Sequence, residues 1–214
     1  MPISGDDILL DRALAGDQSA LGDLLQTHQS RIFNTVLRMV GNRDDAEEIT
    51  QDVMVKIVQH VSEYNGHARF STWVTRIAMN QSISHLRKRR LRRTISLDAP
   101  ARSSDKSDRG SALAEQLQHD GNQTPDQCVE MGEMTEHLQD AMDRLDDDFR
   151  SVLVLRDINE MDYQQIAQSL DVPVGTVKSR LFRARLALRA ELSKLYPSIM
   201  GGPSAEAARG VADG

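Results

Sequence analysis

Apolar residues recur three or four positions apart along residues 8–40, which is the spacing of one face of an α-helix. Gly16 interrupts this pattern and Gly41 ends it, so it predicts two helices that face a common core. The next segment, residues 43–61, has an apolar residue at every fourth position, namely Ile49, Val53, Ile57 and Val61. This spacing predicts a third, amphipathic helix.

A further helical pattern covers residues 71–90, after a loop at residues 65–70 and with Ser71 as a good N-cap. Periodicity is lost between residues 96 and 130, where Ser, Asp, Gln and Gly dominate. That composition predicts a polar, flexible linker. Helical patterning returns at residues 131–145 and 149–158, and the Gly/Ala-rich tail at residues 197–214 is predicted to be mobile.

The segment DYQQIAQSLDVPVGTVKSRLFRAR, residues 162–185, predicts two helices joined by a sharp corner. The first helix covers residues 163–170, and Pro173 follows it closely. Proline breaks a helix because it lacks the amide hydrogen that the helix interior needs. A second helix is predicted to begin near Val174. Ala167 and Val177 would face each other across the corner, as in a helix-turn-helix.

The second of these helices has an apolar face and a polar face. Hydroxyl, lysine and arginine side chains form the polar face: Thr176, Lys178, Ser179, Arg180 and Arg183. Arginine can form two hydrogen bonds with a guanine edge, and Ser and Thr contact phosphates or bases, so this face fits the major groove of DNA. A solvated basic face would be the simpler interpretation of an isolated helix. The preceding helix and the corner favour the helix-turn-helix.

Together these patterns predict an all-α fold of two small helical domains joined by a polar flexible linker. The first domain is predicted at residues 1–95, the linker at residues 96–130, and the second domain, with the helix-turn-helix, at residues 131–196. A chain of 214 residues is long enough for two such domains with cores of their own.

The formal net charge is −6, from 26 Lys+Arg and 32 Asp+Glu, which argues against a general nucleic-acid coat protein. Basic residues are instead concentrated in the helix-turn-helix and at residues 87–93, whereas acidic residues are concentrated at residues 44–52 and 140–148. This segregation of charge indicates at least two partners that carry opposite charges.

Cys128 is the single cysteine of the chain, and the six histidines show no metal-ligand spacing. We therefore predict no disulfide, no metal site and no cofactor. A lone cysteine in a linker is more often incidental than a redox sensor. Neither a secretory leader nor an apolar run of about 18 residues is present, so a cytoplasmic protein without a membrane span is expected.

The third predicted helix carries an acidic and amide face formed by Asp45, Glu48, Gln51 and Asp52. Carboxylates in the first turn interact favourably with the helix dipole, which explains part of this acidity without any partner. It does not explain Gln51 and Asp52, which lie beyond the first turn. The face is therefore a candidate docking surface for a basic partner.

The loop at residues 65–70 and the helix after it bring together amide, aromatic and basic groups. The candidate residues are Asn65, Gly66, His67, Phe70, Trp73, Arg76, Asn80, Ser84, Arg87 and Lys88. Such a set suits single-stranded or distorted nucleic acid, in which an unpaired base stacks and cations contact phosphates. The alternative is that the two aromatic residues belong to the core. The basic run at residues 87–93 repels itself, and a polyanion would offset that cost.

The segments DDAEEITQDVMVKI, FSTWVTRIAMNQSISHLRKRR and DYQQIAQSLDVPVGTVKSRLFRAR, in this order, resemble bacterial RNA polymerase sigma factors of the extracytoplasmic function (ECF) group. The resemblance implies a non-enzymatic factor that binds core RNA polymerase, recognises promoter DNA, melts it and initiates transcription. It implies that the acidic face binds core polymerase and that the loop and helix at residues 65–88 read the −10 element. The polar face of the helix-turn-helix would read the −35 element. A cognate anti-sigma factor is a further partner that such factors often have.

Three other functions fit the pattern less well. A stand-alone helix-turn-helix repressor or activator leaves the acidic helix and the basic run unexplained. A nuclease needs carboxylates or histidines that converge on a metal, and those at residues 44–52 lie on successive turns of one helix. An antagonist of a sigma factor would not need two basic sets. For a sigma factor, we expect the free protein to bind promoter DNA poorly until core polymerase holds the two domains apart.

Overall fold

The computed structural model describes residues 5–95 and 125–197, with side chains described for residues 5–92 and 134–197. The helices are α1 (Gly5–Leu14), α2 (Gln18–Val40), α3 (Arg43–His60), α4 (Phe70–Ile95), α5 (Pro125–Asp143), α6 (Asp147–Leu153), α7 (Tyr163–Leu170) and α8 (Val174–Leu195). A 3₁₀ turn at Val61–Glu63 follows α3, and a π-helical segment, Val154–Ile158, continues α6. No strand occurs in either described range, which confirms the all-α prediction.

The first helix boundaries lie at the two glycines that predicted them, Gly16 and Gly41. Asp17 caps α2, and its side chain accepts hydrogen bonds from the backbone amides of Ser19 and Ala20. Gly41 ends α2 in the left-handed conformation, with φ of 71°, which glycine adopts without the penalty that a Cβ imposes. Asn42 then caps α3.

Two predicted boundaries differ from the structure. Helix α4 begins at Phe70, so Ser71 lies in its first turn rather than at the cap, because the carbonyl of Arg69 already accepts hydrogen bonds from the amides of Thr72 and Trp73. Helix α5 begins at Pro125, within the segment predicted as linker. Proline suits the first helical position, where its missing N–H is not needed. The rest of the predicted linker, residues 96–124, and the tail at residues 198–214 lie outside the described residues.

Helix α2 is the centre of the first helical region, since α1, α3 and α4 all pack on it. The largest fully buried side chains of this region are Leu24, Ile32, Val36, Met39, Val53, Ile57 and Met79. They come from α2, α3 and α4, and Val53 and Ile57 are two of the four positions predicted to form the apolar face of α3. Truncating one of the larger ones to alanine should cost about 2–5 kcal/mol of stability.

The helix-turn-helix is formed by α7 and α8. Asp162 and Gln165 make a capping box at the start of α7, and Asp171 ends this helix in the left-handed conformation with φ of 52°. Ala167 and Val177 are both buried at the crossing. The inward stripe predicted for α8 is therefore present, with Leu181 and Ala184 buried below Val177.

The two helical regions pack against each other through a joint of buried polar groups. Arg150 is 4% exposed, and its guanidinium donates hydrogen bonds to the carbonyl oxygens of Met142 at 2.9 Å, Asp143 at 2.9 Å and Leu145 at 3.3 Å. It also donates to the carbonyl oxygen of Met39 in α2, at 2.6 Å. One side chain thus donates hydrogen bonds to backbone carbonyl groups at the C-terminal ends of two helices, which belong to different regions.

A second part of the joint is centred on Asn159, which follows the π-helical segment. Its side-chain oxygen accepts hydrogen bonds from Arg31 at 3.3 Å and from Thr35 at 3.1 Å, both in α2. Its amide nitrogen donates to the carbonyl of Val154 at 3.1 Å. The π-helical segment adds a residue to the helical turn, and this turns Asn159 towards α2.

Gly41 lies directly against the second region. A Cβ atom at this position would collide with the Asp143 carboxylate, so that side chain would have to move. The positive φ is a second reason why glycine suits this position.

Candidate nucleic-acid interface

The outer face of α8 is formed by the polar residues that the sequence predicted. Lys178, Ser179 and Arg183 are exposed, and Thr176 and Arg180 are half-buried. The Ser179 hydroxyl donates to the Thr176 carbonyl at 3.0 Å, and the Arg183 Nε donates to the Ser179 carbonyl at 3.3 Å. Both bonds follow the helix, so the Arg183 side chain keeps further donors for an external acceptor.

Tyr163, at the start of α7, makes cation–π contacts with two basic side chains beside this face. The Arg156 guanidinium lies 5.3 Å and the Lys178 ammonium 5.8 Å from the centre of its ring, within the range of cation–π contacts. Arg185 pairs with Asp157 at 2.5 Å, and this hydrogen bond raises the pKa of the Arg185 guanidinium above its ordinary value. The cations around the helix-turn-helix are therefore held in place by neighbours.

The outer face of α4 carries the second predicted set. Arg76, Asn80, Ser84, Arg87 and Lys88 are all exposed and follow one another along the helix. Their donors point away from the core that Val74 and Ala78 help to form on the opposite side of the helix. This face can contact a polyanion without rearrangement of the helix.

The loop before α4 is exposed at Asn65, Gly66 and His67. Tyr64 closes it, because the phenol hydroxyl donates a hydrogen bond to the Ala68 carbonyl at 2.5 Å. Burial raises the pKa of the Tyr64 phenol, which keeps the hydroxyl protonated and able to donate. Gly66 has φ of 72°, so the loop turns at a residue that tolerates the left-handed conformation.

The two aromatic candidates have different positions. Phe70 is 5% exposed and packs with its ring centre 5.3 Å from His28, 5.7 Å from Tyr64 and 5.6 Å from Trp73. The core interpretation therefore describes Phe70, which supports the loop from below. Trp73 is half-buried and lines a cleft of about 240 Å³ together with Asn80. Its ring has a surface on which a base could stack.

Both polar faces border one large cleft of about 1110 Å³ between the helical regions. Arginines line it from both sides: Arg76, Arg87 and Arg90 from α4, and Arg180 and Arg183 from α8. The acidic residues 146–148, at the start of α6, also line this cleft. The structure thus brings together two sets of cations that the sequence placed about a hundred residues apart.

The acidic face of α3 divides between two grooves. Glu48 and Asp52 are exposed in a groove shared with Lys88 of α4, whereas Gln51 lines a groove on the side of α2. Asp45 is 3.5 Å from both His85 and Arg89 of α4, so this carboxylate already has partners within the chain.

Comparison with known proteins identifies the family. The Sigma-70 region 2 model matches residues 24–92, and the Sigma-70 region 4 model matches residues 135–188. The ECF RNA polymerase sigma factor SigW of Bacillus subtilis is 33% identical over 84% of this chain and 92% of its own length. The chain belongs to the ECF sigma factors. The ECF RNA polymerase sigma-E factor of Escherichia coli is 30% identical to this sigma factor over 89% of the chain and 95% of its own length.

Solved structures share the fold of this sigma factor. CnrH, solved in complex with the cytosolic domain of CnrY, has a TM-score of 0.60 at 22% identity and covers 89% of this chain and 99% of its own. The sigma factor RpoE of Bartonella quintana, solved with the anti-sigma factor NepR, has a TM-score of 0.58 at 18% identity and covers 80% and 96%.

Membership of this family means that the chain is a transcription initiation factor. Sigma factors bind core RNA polymerase and promoter DNA, and they direct the polymerase to start transcription. Among the described residues of this sigma factor, no group of three or more His, Cys, Asp or Glu could hold a metal ion. No helix in the same part of the chain is both long and apolar enough to cross a membrane.

Sequence reasoning missed several residues of these surfaces. Val55 and Val58 are 55% and 49% exposed beside the acidic face of α3, and their positions outside the apolar stripe were the available signal. Tyr163 gave no signal, because its two cation contacts depend on the fold. The acidic residues 146–148 stood out only as part of a charged segment, since their neighbours in α4 and α8 are distant in sequence.

Proposed function

We propose that this sigma factor uses α3 to dock on core RNA polymerase, α4 with the loop at residues 65–70 to recognise and melt the −10 element, and α8 to read the −35 element. The observation that carries the proposal is the exposed arrangement of two cation-bearing helices, α4 and α8, in separate regions of one chain. Each presents amide, hydroxyl and guanidinium groups on its outer face. Two weak DNA contacts become one strong contact when polymerase fixes their separation.

The −35 element is read by α8 in this proposal. A recognition helix lies in the major groove with its first turns against base edges, and Thr176, Ser179 and Arg183 lie in the first three turns of α8. Arg183 is suited to two hydrogen bonds with guanine, and Lys178 to a phosphate. The helix-turn-helix core supports this geometry.

The −10 element is read and opened by the first region. Melting requires that an unpaired base be held outside the stack, and aromatic faces do this without sequence preference. Trp73 offers such a face, and its ring lies 5.7 Å from that of Tyr64, which closes the exposed loop. Arg76 and Arg87 can contact the phosphates of the separated strand. Phe70 keeps the loop in position from within the core.

Core polymerase docks on α3 in this proposal. The exposed face of this helix combines the predicted polar residues Glu48, Gln51 and Asp52 with the exposed valines Val55 and Val58. Apolar side chains surrounded by polar ones are typical of protein interfaces. Asp45, which has partners in α4, contributes by holding α3 against α4.

The docking surface can be tested by size-exclusion chromatography of the full chain with core RNA polymerase. We expect the wild type to co-elute with the polymerase. Both the Glu48→Lys/Asp52→Lys variant and the Val55→Ser/Val58→Ser variant should elute free. The changed side chains are exposed, so circular dichroism should show an unchanged helical fold.

The matched control is Asp11→Lys/Asp23→Lys, which makes the same change of charge on exposed positions of α1 and α2. This control should still co-elute. Co-elution of both α3 variants would show that polymerase binds elsewhere.

Promoter recognition is tested by transcription of a library of genomic fragments with the reconstituted holoenzyme. Sequencing of the transcript 5′ ends should reveal two shared upstream elements, and permanganate should detect unpaired thymines at the nearer one. A Trp73→Ala variant should retain polymerase binding and lose permanganate reactivity. Unchanged reactivity would remove Trp73 from the melting step.

An anti-sigma factor is a further partner that we propose. CnrH and RpoE, which share the fold of this chain, were both solved as complexes, and the partner of RpoE is the anti-sigma factor NepR. Purified from its native cells without an inducing signal, the chain should elute in a stoichiometric complex with a second protein and fail to bind core polymerase. Elution as a free chain that binds polymerase would contradict this.

A further inference from the structure

The exposed loop before α4 contains an Asn-Gly pair, Asn65 and Gly66. The side-chain oxygen of Asn65 accepts a hydrogen bond from the backbone amide of His67 at 3.2 Å. This bond closes a ring of atoms that includes the side-chain carbonyl carbon of Asn65 and the backbone nitrogen of Gly66. It therefore holds these two atoms in one turn, and it draws electron density away from the carbonyl carbon, which favours attack by a nucleophile.

The backbone nitrogen of Gly66 is open to solvent and to the Asn65 carbonyl. Within the described part of the chain, no backbone carbonyl accepts a hydrogen bond from the Gly66 amide. Gly66 is exposed, and nothing lies within 4 Å of the position that a Cβ would take. Glycine has no side chain that would hinder the approach of its own nitrogen to the preceding residue. The amide proton can thus be lost to water, and the nitrogen can reach its target.

We infer that Asn65 is a modification site at which the chain deamidates without an enzyme. The Gly66 amide loses its proton to solvent, and its nitrogen attacks the side-chain carbonyl carbon, Cγ, of Asn65. The bond between this nitrogen and Cγ forms, the bond between Cγ and Nδ2 breaks, and Nδ2 takes up a proton and leaves as ammonia. Water then opens the cyclic imide, and the product is aspartate or isoaspartate. No atom is oxidised or reduced, and water is the co-reactant.

Both products place a carboxylate in the loop at residues 65–70. A carboxyl group of this kind is ionised at neutral pH, so the loop gains a negative charge where it had a neutral amide. The functional consequence rests on the proposed role of this loop in recognition of the −10 element. Under that proposal, the new charge repels the phosphates of the separated strand and weakens promoter opening.

Isoaspartate also lengthens the main chain of the loop by one carbon atom. The loop has little freedom to absorb it, because the Tyr64 hydroxyl donates to the Ala68 carbonyl at 2.5 Å and Phe70 is buried. The Tyr64 ring packs 5.7 Å from the rings of both Phe70 and Trp73. The extra atom must therefore change the turn at residues 65–67, next to the aromatic side chains.

Peptide mapping of the full chain after incubation at neutral and at mildly alkaline pH tests the site. Trypsin releases residues 57–69, which contain Asn65, and residues 77–87, which contain Asn80. Asn80 is an internal control, since it is exposed but lies within α4 and is followed by Gln81. Mass spectrometry should show that Asn65 converts at least about tenfold faster than Asn80. Conversion should be faster at the higher pH, because the amide proton must be removed.

The Gly66→Ala variant tests the mechanism. Its added methyl group hinders the approach of the nitrogen at position 66 to the Asn65 carbonyl, so we expect conversion to be about tenfold slower than in the wild type. Circular dichroism checks that the variant keeps its helices. Conversion of Asn65 no faster than that of Asn80, or equally fast in the Gly66→Ala variant, would overturn the inference.

The effect on function is measured with holoenzyme reconstituted from fresh and from aged chain. Permanganate reactivity of the promoter should fall with the converted fraction of the wild type, whereas aged Gly66→Ala should retain the signal of its own fresh sample. The Asn65→Asp variant carries one product from the start and should lower the signal about fivefold, as expected for two unit charges about 4 Å apart in water. Conversion of Asn65 without any loss of reactivity would leave the modification site in place and contradict the proposed −10 role of the loop.

Discussion

Arg150 shows how one side chain can join two parts of a molecule. Its guanidinium donates to four carbonyl oxygens at or beyond the ends of α2 and α5, and burial lowers the pKa of this group. Backbone carbonyls in the last turn of a helix have no partner within the helix, so a buried helix end needs an external donor. Arg150 supplies it.

Replacing Arg150 by methionine should lower the free energy of unfolding by about 2–4 kcal/mol, because buried carbonyls lose their donor while the apolar stem is kept. Urea denaturation followed by circular dichroism measures this change. The control is Arg144→Met on an exposed position of the same segment, for which a change within about 0.5 kcal/mol is expected. Equal effects of the two substitutions would show that Arg150 has no special role in stability.

This role of Arg150 could not be predicted from the sequence. The residue lies among three buried apolar neighbours, Val152, Leu153 and Leu155, in a segment that was predicted to be helical. Arginine in such a stretch is ordinarily placed on the surface. Its partner Met39 is 111 positions away in the chain, so no local pattern indicates the contact. The burial of Phe70 also depends on contacts between distant segments, so the sequence alone could not distinguish it from an exposed residue that stacks on a base.

At the scale of elements, the helix-turn-helix is the best predicted part of the molecule. Its helices, corner and inward residues follow from local rules: a capping residue at Asp162, a break before Pro173, and apolar residues at helical spacing. Helix α5 was less predictable, since its first turns have little apolar periodicity. The predicted domain limits remain a prediction, because residues 96–124 are outside the described part of the chain.

Two substitutions on α8 should have different effects on promoter binding by the holoenzyme. Arg183→Ala should cost about 1–3 kcal/mol of discrimination at one position of the −35 element, because it removes the base contact proposed for Arg183. Lys178→Ala should weaken binding to all sequences alike and reduce the salt dependence by about one unit of slope, because it removes the phosphate contact proposed for Lys178.

Binding titrations on a set of single-base promoter variants at several salt concentrations distinguish these effects. Arg189→Ala, an exposed position further along α8, is the control for loss of a positive charge. A uniform loss of affinity in the Arg183→Ala variant would show that Arg183 contacts phosphate.

At the scale of the whole molecule, the two regions meet through contacts between residues far apart in sequence. Arg31 and Asn159, for example, are separated by 128 positions. Periodicity and capping describe each helix on its own, and the sequence therefore predicted helices and faces but not how the two regions sit together. The common cleft and the place of the acidic residues 146–148 in it depend on how the chain folds.

Gly41→Ala should destabilise the chain by about 1–2 kcal/mol and weaken the joint, because alanine is strained at this positive φ and its Cβ collides with the Asp143 carboxylate. Gly22→Ala is the matched control: this glycine lies inside α2 with nothing within 4 Å of an added Cβ. The control should stabilise the chain by about 0.5–1 kcal/mol, since alanine favours the helix. Urea denaturation measures both.

An Asp143→Ala background separates the two causes of the Gly41 effect. The collision with the carboxylate is absent there, so the remaining cost of Gly41→Ala is that of the backbone conformation. Equal costs in both backgrounds would show that the close approach of Asp143 does not constrain position 41.

The π-helical segment Val154–Ile158 has a consequence for promoter geometry. One residue in an α-helix corresponds to a rotation of about 100°. Deletion of a single residue from this segment would therefore change the direction of the two helices that follow it, α7 and α8. Helix α8, which we propose reads the −35 element, would then approach the double helix from another side. Under that proposal, promoters with a different distance between their two elements would become the preferred ones, without any change in the side chains of α8.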